Sequence, residues 1–298
     1  MRAVLVLGGS GLVGARLVEL WAGRFDVRRP SHGELDVLDG AALGEVLAHS
    51  DADVVVNLAA WADVDGAEAE RGDELGLVYR LNAAYPGRLA ELCALHGKYL
   101  MHVSTDYVFD GTQVGAPYRE SDPTNPLCWY ARTKLLGEQR VARANASACI
   151  ARIEMPFTAR THRKRDFART CLARLQAGQE LAGVTDQRIT PVFLDDAIAA
   201  LARLAKQRVS GIVHVAAASS TTPYEFARAI AAKTRHDPEL VLPTTFESFA
   251  SQRPARRPQH SWLDVRNAET VIGQGVLRPI DEELDAWAAQ VLSVPSQV

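Results

Sequence analysis

The sequence predicts an α/β fold in which a doubly wound parallel sheet is followed by a smaller C-terminal region. Short apolar runs alternate with helical patterns through the first half of the chain. The first run leads directly into a glycine-rich turn and a helix, and the alternation loosens after about residue 155. Alternating strands and helices form βαβ units with right-handed crossovers, which places the strands in one parallel sheet.

The first half contains five predicted strands, which are Ala3–Leu7, Phe25–Arg28, Asp53–Asn57, Tyr99–Ser104 and Ala148–Ile153. The helical patterns between them cover Gly11–Ala22, Ala41–Ala48, Asn82–His96 and Leu127–Ala144. We therefore expect residues 1–154 to form a Rossmann-type nucleotide-binding domain.

The second half is less regular. Its predicted elements are a helix that opens in the basic stretch 160–169 and runs to Leu175, a buried strand Gly211–Ala216, a segment 243–258 rich in Pro, Ser and Thr, and an amphipathic helix Asp281–Leu292. We expect residues 190–218 to return to the first domain. Residues 155–189 and 219–298 are then expected to form the smaller substrate-binding domain.

The composition is that of an ordinary globular protein. Of 298 residues, 47% are hydrophobic and 23% are charged, and the formal net charge is −3. This balance argues against disorder, and it gives no electrostatic reason to expect nucleic acid or a membrane surface as a partner. Only five of the 33 basic residues are lysine, so a motif that requires lysine is unexpected by chance.

Three glycines form G-x-x-G-x-x-G between the first strand and the first helix. One permits the tight turn, one lets the backbone approach a pyrophosphate, and one lets the helix pack closely on the strand. The N-terminus of the helix offers free N–H groups to the phosphates. The expected cofactor contacts in this loop are Gly8, Ser10, Gly11, Leu12, Val13 and Gly14.

The end of the second strand indicates which dinucleotide binds. NAD-specific sites usually carry an acidic residue there, which binds the ribose 2′-OH. Here the strand runs out into Arg28 and Arg29, and a guanidinium suits a 2′-phosphate. We expect NADP(H) in preference to NAD(H), with NAD(H) as the alternative. The remaining expected cofactor contacts are Asp36 and Val37 after this strand, and Leu58, Ala59 and Ala60 after the third.

Tyr130 and Lys134 lie four residues apart near the start of a predicted helix, so their side chains share a face. Hydride transfer to a ketone needs an acid that protonates the developing alkoxide, and free tyrosine, with a pKa near ~10, is poorly matched to this task. We expect the Lys134 ammonium to lower the pKa of Tyr130. The chain contains no other Tyr-x-x-x-Lys. Both residues are also expected to contact the cofactor.

A hydroxyl partner for Tyr130 is expected at the end of the fourth strand, because open α/β sheets bind ligands at the carboxyl ends of their strands. Ser104 and Thr105 lie at that point. From the residues alone, either hydroxyl can hydrogen-bond a substrate carbonyl.

The four cysteines match no zinc or redox spacing, and we expect them to be reduced and buried. No metal site is predicted. The apolar run at the N-terminus stops at Gly8, and no apolar stretch approaches the ~20 residues that span a bilayer. These observations predict a cytoplasmic protein.

Motifs along nearly the whole chain resemble the extended short-chain dehydrogenase/reductase superfamily, and within it the dTDP-4-dehydrorhamnose reductase family. The motifs are the glycine loop, Asn57-Leu58-Ala59-Ala60 with Val64-Asp65, the run from Val103 to Gly111, Asn125-Pro126 with Tyr130 to Lys134, Gly137-Glu138, Asp186-Gln187 with Pro191 and Asp195-Asp196, Tyr224-Glu225-Phe226, and Arg256-Arg257-Pro258. The run Ser-Thr-Asp-Tyr-Val-Phe-Asp-Gly is the most specific of them.

The resemblance implies NAD(P)H-dependent reduction of a 4-keto nucleotide sugar. It makes Thr105 the catalytic hydroxyl, Tyr130 the general acid and Lys134 its activator. The implied substrate contacts are Asp106, Tyr107, Met155 and Arg257. Related 4,6-dehydratases carry Asp-Glu after the threonine, whereas Tyr107 follows Asp106 here, so dehydration is disfavoured.

Two positions depart from the family pattern at the border of the substrate pocket. Ala62 replaces a usual threonine, and Met155 stands where an aromatic residue is common. The basic residues Arg160, Arg163, Lys164 and Arg165 are candidates for holding a substrate diphosphate. The alternatives are a non-catalytic NADP-binding regulatory subunit, like that of methionine adenosyltransferase, and a sugar-nucleotide epimerase. A homodimer is compatible with the sequence.

Overall fold

The computed structural model describes residues 2–163 and 165–293. Met1 and residues 294–298, at the ends of the predicted domains, and Lys164, in the basic stretch, lie outside the described residues.

The strands are β1 Ala3–Leu7, β2 Asp26–Arg28, β3 Val54–Asn57, β4 Tyr99–Thr105, β5 Cys149–Ile153, β6 Leu181–Val184, β7 Gly211–Val215 and β8 Val241–Thr244. Six of them form one sheet in the order β2-β1-β3-β4-β5-β7, and β6 pairs with β8 in a second, two-stranded sheet. All of these pairings are parallel. The chain runs outward from β1 in both directions, so the switch point of the large sheet lies between β1 and β3.

The helices are α1 Leu12–Trp21, α2 Gly40–His49, α3 Leu77–Tyr79, α4 Tyr85–Leu95, α5 Trp129–Ala144, α6 Phe167–Gln176, α7 Leu194–Gln207, α8 Pro223–Lys233, α9 Phe246–Ala250, α10 Arg266–Ile272 and α11 Ile280–Ser293. A π-helical turn, Arg80–Ala84, joins α3 to α4. No helix within the described residues is both long and apolar enough to span a bilayer.

Both faces of the large sheet are covered, which explains why its strands read as continuous apolar runs. In β1, Val4 and Val6 belong to the core that includes α1 and α7. Leu5 and Leu7 belong to the core that includes α2 and α4. The predicted doubly wound parallel sheet is confirmed, and every predicted strand of the first half lies within one residue of the observed bounds.

Residues 190–218 contribute to the large sheet and its cover. Strand β7 pairs with β5, and α7 packs on α1. The Arg16 guanidinium fixes that packing, because it donates to the two carboxylate oxygens of Asp195 at 2.7 and 2.6 Å. Such a paired geometry is rigid as well as strong.

The second region has its own core, in which Phe157, Phe193, Phe226 and Trp287 are buried together. The predicted helix opens near the end of the basic stretch, at Phe167, where Asp166 caps it by accepting the Arg169 N–H at 2.8 Å. Within 243–258 the structure has the end of β8 and the short helix α9 rather than irregular chain alone. The four cysteines are unpaired and buried, as expected.

Candidate active site

The glycine loop is packed against the end of β3. Gly8 has φ +83°, and a Cβ added there would lie 2.4 Å from the Ala59 nitrogen. A Cβ on Gly14 would lie 2.3 Å from the Gly8 carbonyl oxygen, so the first turn of α1 sits directly on the loop. A Cβ on Gly11 would meet only the Gly8 oxygen, at 3.4 Å. The loop is therefore closed toward the sheet and open at Gly11.

The N-terminus of α1 lies at this opening. Gly11 is its N-cap and supplies no side-chain cap, and Ser10 beside it is exposed. The first N–H groups of the helix, at Leu12 and Val13, are the donors that an anion at a helix N-terminus uses. An open glycine and uncapped amides at the switch point fit the diphosphate of a dinucleotide.

The two arginines after β2 take different positions. Arg28 donates to Asp51 at 2.8 Å and lies 3.5 Å from Asp26, so its charge is already paired. Arg29 lies over the loop, because a Cβ added to Gly9 would be 3.1 Å from the Arg29 Cβ. The structure brings Arg29 to the glycine loop and holds Arg28 on two carboxylates.

The other predicted cofactor contacts lie in the segments that follow β2 and β3. Asp36 is exposed and accepts a backbone N–H two residues on, and Val37 is partly buried. Leu58 and Ala59 form the backbone against which Gly8 packs, and Ala60 is exposed beside them.

Thr105, Tyr130 and Lys134 meet at the carboxyl end of β4. Thr105 ends that strand, and the other two lie in the first turns of α5. The Lys134 ammonium donates to the Val103 carbonyl at 2.8 Å. Helix α5 begins at Trp129, two residues later than predicted, and Glu68 accepts the Trp129 N–H at 2.6 Å. An acceptor from a distant segment therefore sets the start of this helix.

The electrostatics of the pair differ from the prediction. Burial raises the pKa of Tyr130, and the Thr105 hydroxyl partly offsets this. Burial also lowers the pKa of Lys134 to about 8, against the opposing charge of Glu138. The expected lowering of the Tyr130 pKa by Lys134 is wrong for this arrangement, because desolvation of the phenol outweighs other influences. Tyr130 keeps its proton, which suits a proton donor.

Arg257 is held at the site by Asp65. Its guanidinium donates to both carboxylate oxygens, each at 2.9 Å. The charge of Arg257 also acts on Tyr107, whose pKa is raised by burial. The Tyr107 ring lies edge-on to Tyr130, with 6.1 Å between ring centroids. Tyr107 therefore connects Tyr130 to the Asp65–Arg257 pair.

Gly111, the last residue of the run from Ser104, positions the segment that carries Arg257 at the site. Gly111 has φ +75°, and a Cβ added to it would lie 2.4 Å from the Gln259 nitrogen. Its carbonyl accepts the His260 N–H at 3.1 Å. The segment after Arg257 is therefore seated on the motif, through a position that only glycine fits.

The carboxyl end of β5 carries two unusual residues. Met155 has φ +36° and precedes Pro156, a position that normally favours extended backbone, so its conformation is strained. Glu154 is fully buried and accepts hydrogen bonds from the Thr190 N–H at 2.9 Å and the Ser261 hydroxyl at 2.7 Å. Glu154 was not predicted as a site residue. Its signal is an acidic residue directly after an apolar strand.

Asn82, in the π-helical turn, is a second residue that the sequence analysis missed. Its amide accepts from the Trp61 N–H at 2.9 Å and donates to Thr133 at 3.3 Å. It holds the segment of Trp61 and Ala62 against α5, two elements the sequence placed apart.

The basic stretch reaches the glycine loop through His162, which was not predicted as a site residue. The His162 ring lies 3.1 Å from the Ser10 carbonyl oxygen, and Arg160 pairs with Glu19 of α1 at 2.9 Å. Arg163 and Arg165 are exposed, and Lys164 lies outside the described residues. The stretch therefore crosses from the second region to the loop.

Comparisons with known proteins agree with these features. The model of the RmlD substrate binding domain family matches residues 1–292. The dTDP-4-dehydrorhamnose reductase of Mycobacterium tuberculosis is 37% identical over 270 residues, which cover 88% of this chain and 85% of the relative. A probable dTDP-4,6-dihydroxy-2-methyloxan-3-one 4-ketoreductase of Streptomyces antibioticus is 39% identical over 264 residues, covering 87% and 85%.

Solved structures show the same fold. A dTDP-4-dehydrorhamnose reductase of Clostridium acetobutylicum superposes with a TM-score of 0.88 at 27% identity, covering 98% of this chain and 100% of that one. The Bacillus anthracis enzyme in complex with NADP has a TM-score of 0.88 at 25% identity, covering 97% and 100%. The resemblance expected from the motifs is confirmed. The chain belongs to the RmlD substrate binding domain family, and it is an NAD(P)H-dependent oxidoreductase of the extended short-chain dehydrogenase/reductase type.

Proposed function

We propose that the protein reduces the 4-keto group of a nucleotide sugar and uses NADPH in preference to NADH. One observation carries the proposal: Thr105, Tyr130 and Lys134 meet at the carboxyl end of β4, on the same edge of the sheet as the open glycine loop. The names of the relatives support the substrate class, and the NADP complex of the Bacillus anthracis enzyme supports the cofactor.

Each residue of the candidate site has its own role in the proposed reduction. NADPH, when bound, supplies the hydride. Tyr130 donates its phenolic proton to the carbonyl oxygen as negative charge develops there. The Thr105 hydroxyl donates a hydrogen bond to the same oxygen. The Lys134 ammonium places a positive charge on this face, which favours the phenolate that remains.

The domains follow from the same proposal. Residues 1–154 with 190–218 bind the dinucleotide, and residues 155–189 with 219–298 bind the sugar nucleotide. Asp106, Tyr107, Met155 and Arg257 contact the substrate.

The four unpaired buried thiols support a cytoplasmic location. A homodimer stays a prediction, which analytical ultracentrifugation checks.

Purified protein, NADPH and a panel of dTDP- and UDP-linked 4-keto sugars test the proposal. We expect NADPH oxidation with at least one of them, and a loss of about 100-fold or more in Tyr130→Phe. Tyr224→Phe, which removes a phenol from α8 in the second core, is the matched control and should retain activity. A regulatory subunit oxidises no NADPH with any substrate, and an epimerase converts the sugar without net oxidation. Either result contradicts the proposal.

A further inference from the structure

Two buried carboxyl groups lie behind the catalytic hydroxyl, and the proton transfer described so far assigns a role to neither. Asp106 follows Thr105 directly, and Glu154 follows β5. Asp106 is 3% exposed and Glu154 is 0% exposed. Within the described part of the chain, neither carboxyl forms an ion pair with a lysine or arginine. Buried carboxylates without a cation are costly, so such a cluster requires an explanation.

The two carboxyl groups follow paired positions of neighbouring strands, because Thr105 of β4 lies opposite Ile153 of β5. The Ser261 hydroxyl donates to Glu154 Oε1 at 2.7 Å. On its other oxygen, Glu154 accepts the Thr190 N–H at 2.9 Å and the Thr190 hydroxyl. Asp106 Oδ1 lies 3.0 Å from Thr105 Oγ1, whereas Asp106 Oδ2 is buried without a hydrogen-bond partner in the described residues. The cluster ends on the catalytic hydroxyl.

The contact between Asp106 and Thr105 decides whether the Thr105 hydroxyl has a hydrogen available for the substrate. A threonine hydroxyl has one hydrogen to donate and two lone pairs that accept. Thr105 Oγ1 already accepts the Tyr107 N–H at 3.3 Å. If Asp106 is ionised, Thr105 donates its hydrogen to Asp106 and has none for the substrate. If Asp106 is protonated, Asp106 donates to Thr105, and the Thr105 hydrogen is free to point toward Tyr130 and the substrate carbonyl.

We propose that Glu154 is a positioning residue: its carboxylate lies beside Asp106 and keeps Asp106 protonated, and the Asp106 hydrogen thereby turns the Thr105 hydroxyl toward the reacting oxygen. Two carboxyl groups this close cannot both ionise at low cost, so the pair retains a proton when a single carboxyl would lose it. Glu154 stands in this chain at a site border that already departs from the family pattern at Met155. The proposal rests on the reductase function proposed above.

The electrostatics agree with this geometry. Burial raises the pKa of both carboxyls, and the charge of Asp106 raises that of Glu154 further. Ser261 acts in the opposite direction on both. The other titratable groups that face the pair are Tyr107 and Tyr130, which burial keeps protonated. Lys134, nearby on α5, has a pKa of about 8 and titrates separately.

The test is the pH profile of turnover in two variants with opposite expected shifts. Glu154→Gln keeps the shape and loses the charge, so Asp106 ionises more readily and the alkaline loss of kcat moves to lower pH, by about half a unit or more. At low pH, where Asp106 is protonated in both proteins, the variant should match the wild type within about twofold. Ser261→Ala removes a donor that favours the ionised forms, so its alkaline loss should move to higher pH.

A readout without substrate accompanies the profile. Infrared difference spectra over a pH titration follow the carbonyl band of protonated carboxyl groups, and this band should disappear at lower pH in Glu154→Gln than in the wild type. The buried Glu283 contributes equally to both proteins and cancels in the comparison.

Shifts in the two expected directions support the inference. The inference is overturned if activity falls equally at every pH, or if the pH profiles of variant and wild type superimpose. A merely structural role of Glu154 would leave the pH at which kcat falls unchanged. If the wild type turns over no keto sugar at any pH, the proposed function fails, and the infrared titration still decides whether Glu154 keeps Asp106 protonated.

Discussion

At the carboxyl end of β1 the site is shaped by backbone, whereas at the carboxyl end of β5 it is shaped by side chains that can change charge. Gly8, Leu58 and Ala59 touch through main-chain atoms with no room for a methyl group. Glu154 and Ser261 instead form a buried hydrogen-bonded cluster. A site built on backbone contacts tolerates few substitutions and ignores pH. A site built on buried carboxyls tolerates substitution but responds to pH, and the following predictions test this difference.

Gly8→Ala should have the largest effect. The new methyl group meets the Ala59 nitrogen at 2.4 Å, and φ +83° is unfavourable for alanine. Overpacking and backbone strain together should cost about 3 kcal/mol of stability and abolish NADPH binding. Thermal denaturation and NADPH titration measure both effects. Gly44→Ala, where the nearest atom is a Leu92 methyl at 3.8 Å, is the matched control. It should gain up to about 1 kcal/mol, since it lies inside α2.

Lys134→Arg should lower kcat by about 100-fold or more, although the charge is kept. The ammonium is buried and donates to the Val103 carbonyl, and the larger, planar guanidinium does not fit the same point. Lys98→Arg is the matched control, because Lys98 also donates to backbone carbonyls, at Ser50 and Ala52, but away from the site. Activity in Lys134→Arg close to that of Lys98→Arg would contradict the assigned role.

Lys134 also predicts a pH limb of its own. Burial lowers its pKa to about 8, so the ammonium is present below that pH and is lost as the pH rises through it. We expect kcat to fall above about pH 8, and this limb should remain in Glu154→Gln after the carboxyl-dependent limb has moved. Steady-state rates over a pH series in both proteins separate the two limbs. If kcat instead falls in one step, and that step moves entirely to lower pH in Glu154→Gln, the whole alkaline loss belongs to the carboxyl pair.

The smallest effect is expected from the arginines after β2. Arg29→Ala removes the basic side chain that lies against Gly9 of the loop and should weaken NADPH binding about tenfold, with little change for NADH. Arg28→Ala removes an exposed charge that already pairs with Asp51 and should change both affinities little. Fluorescence titration with both cofactors measures this. If Arg28→Ala weakens NADPH binding as much as Arg29→Ala does, Arg28 must leave its carboxylates to bind the cofactor.

The first half of the fold was predictable because its strands are buried on both faces and appear as unbroken apolar runs between glycines and helical patterns. The second half was not, because β6 and β8 have four residues each and contain Gly183 and Pro243, residues that argue against strands. The start of α6 had a usable signal, the N-cap Asp166.

The site divides in the same way. Tyr130 and Lys134 could be predicted to share one helix because their spacing is local, and both lie on α5. Glu154 and Ser261 are 107 residues apart and meet only through the fold, so no local pattern pairs them. The raised pKa of Tyr130 also depends on burial, which a spacing argument does not contain.

The most direct measurement of the proposed reduction uses NADPH deuterated at C4 of the nicotinamide, with product analysis by mass spectrometry and NMR. We expect one deuterium per product molecule, on the carbon of the former 4-keto group, from one stereospecific position of the cofactor, with incorporation abolished in Tyr130→Phe. A product without deuterium, or incorporation that is unchanged in Tyr130→Phe, would contradict reduction by this site.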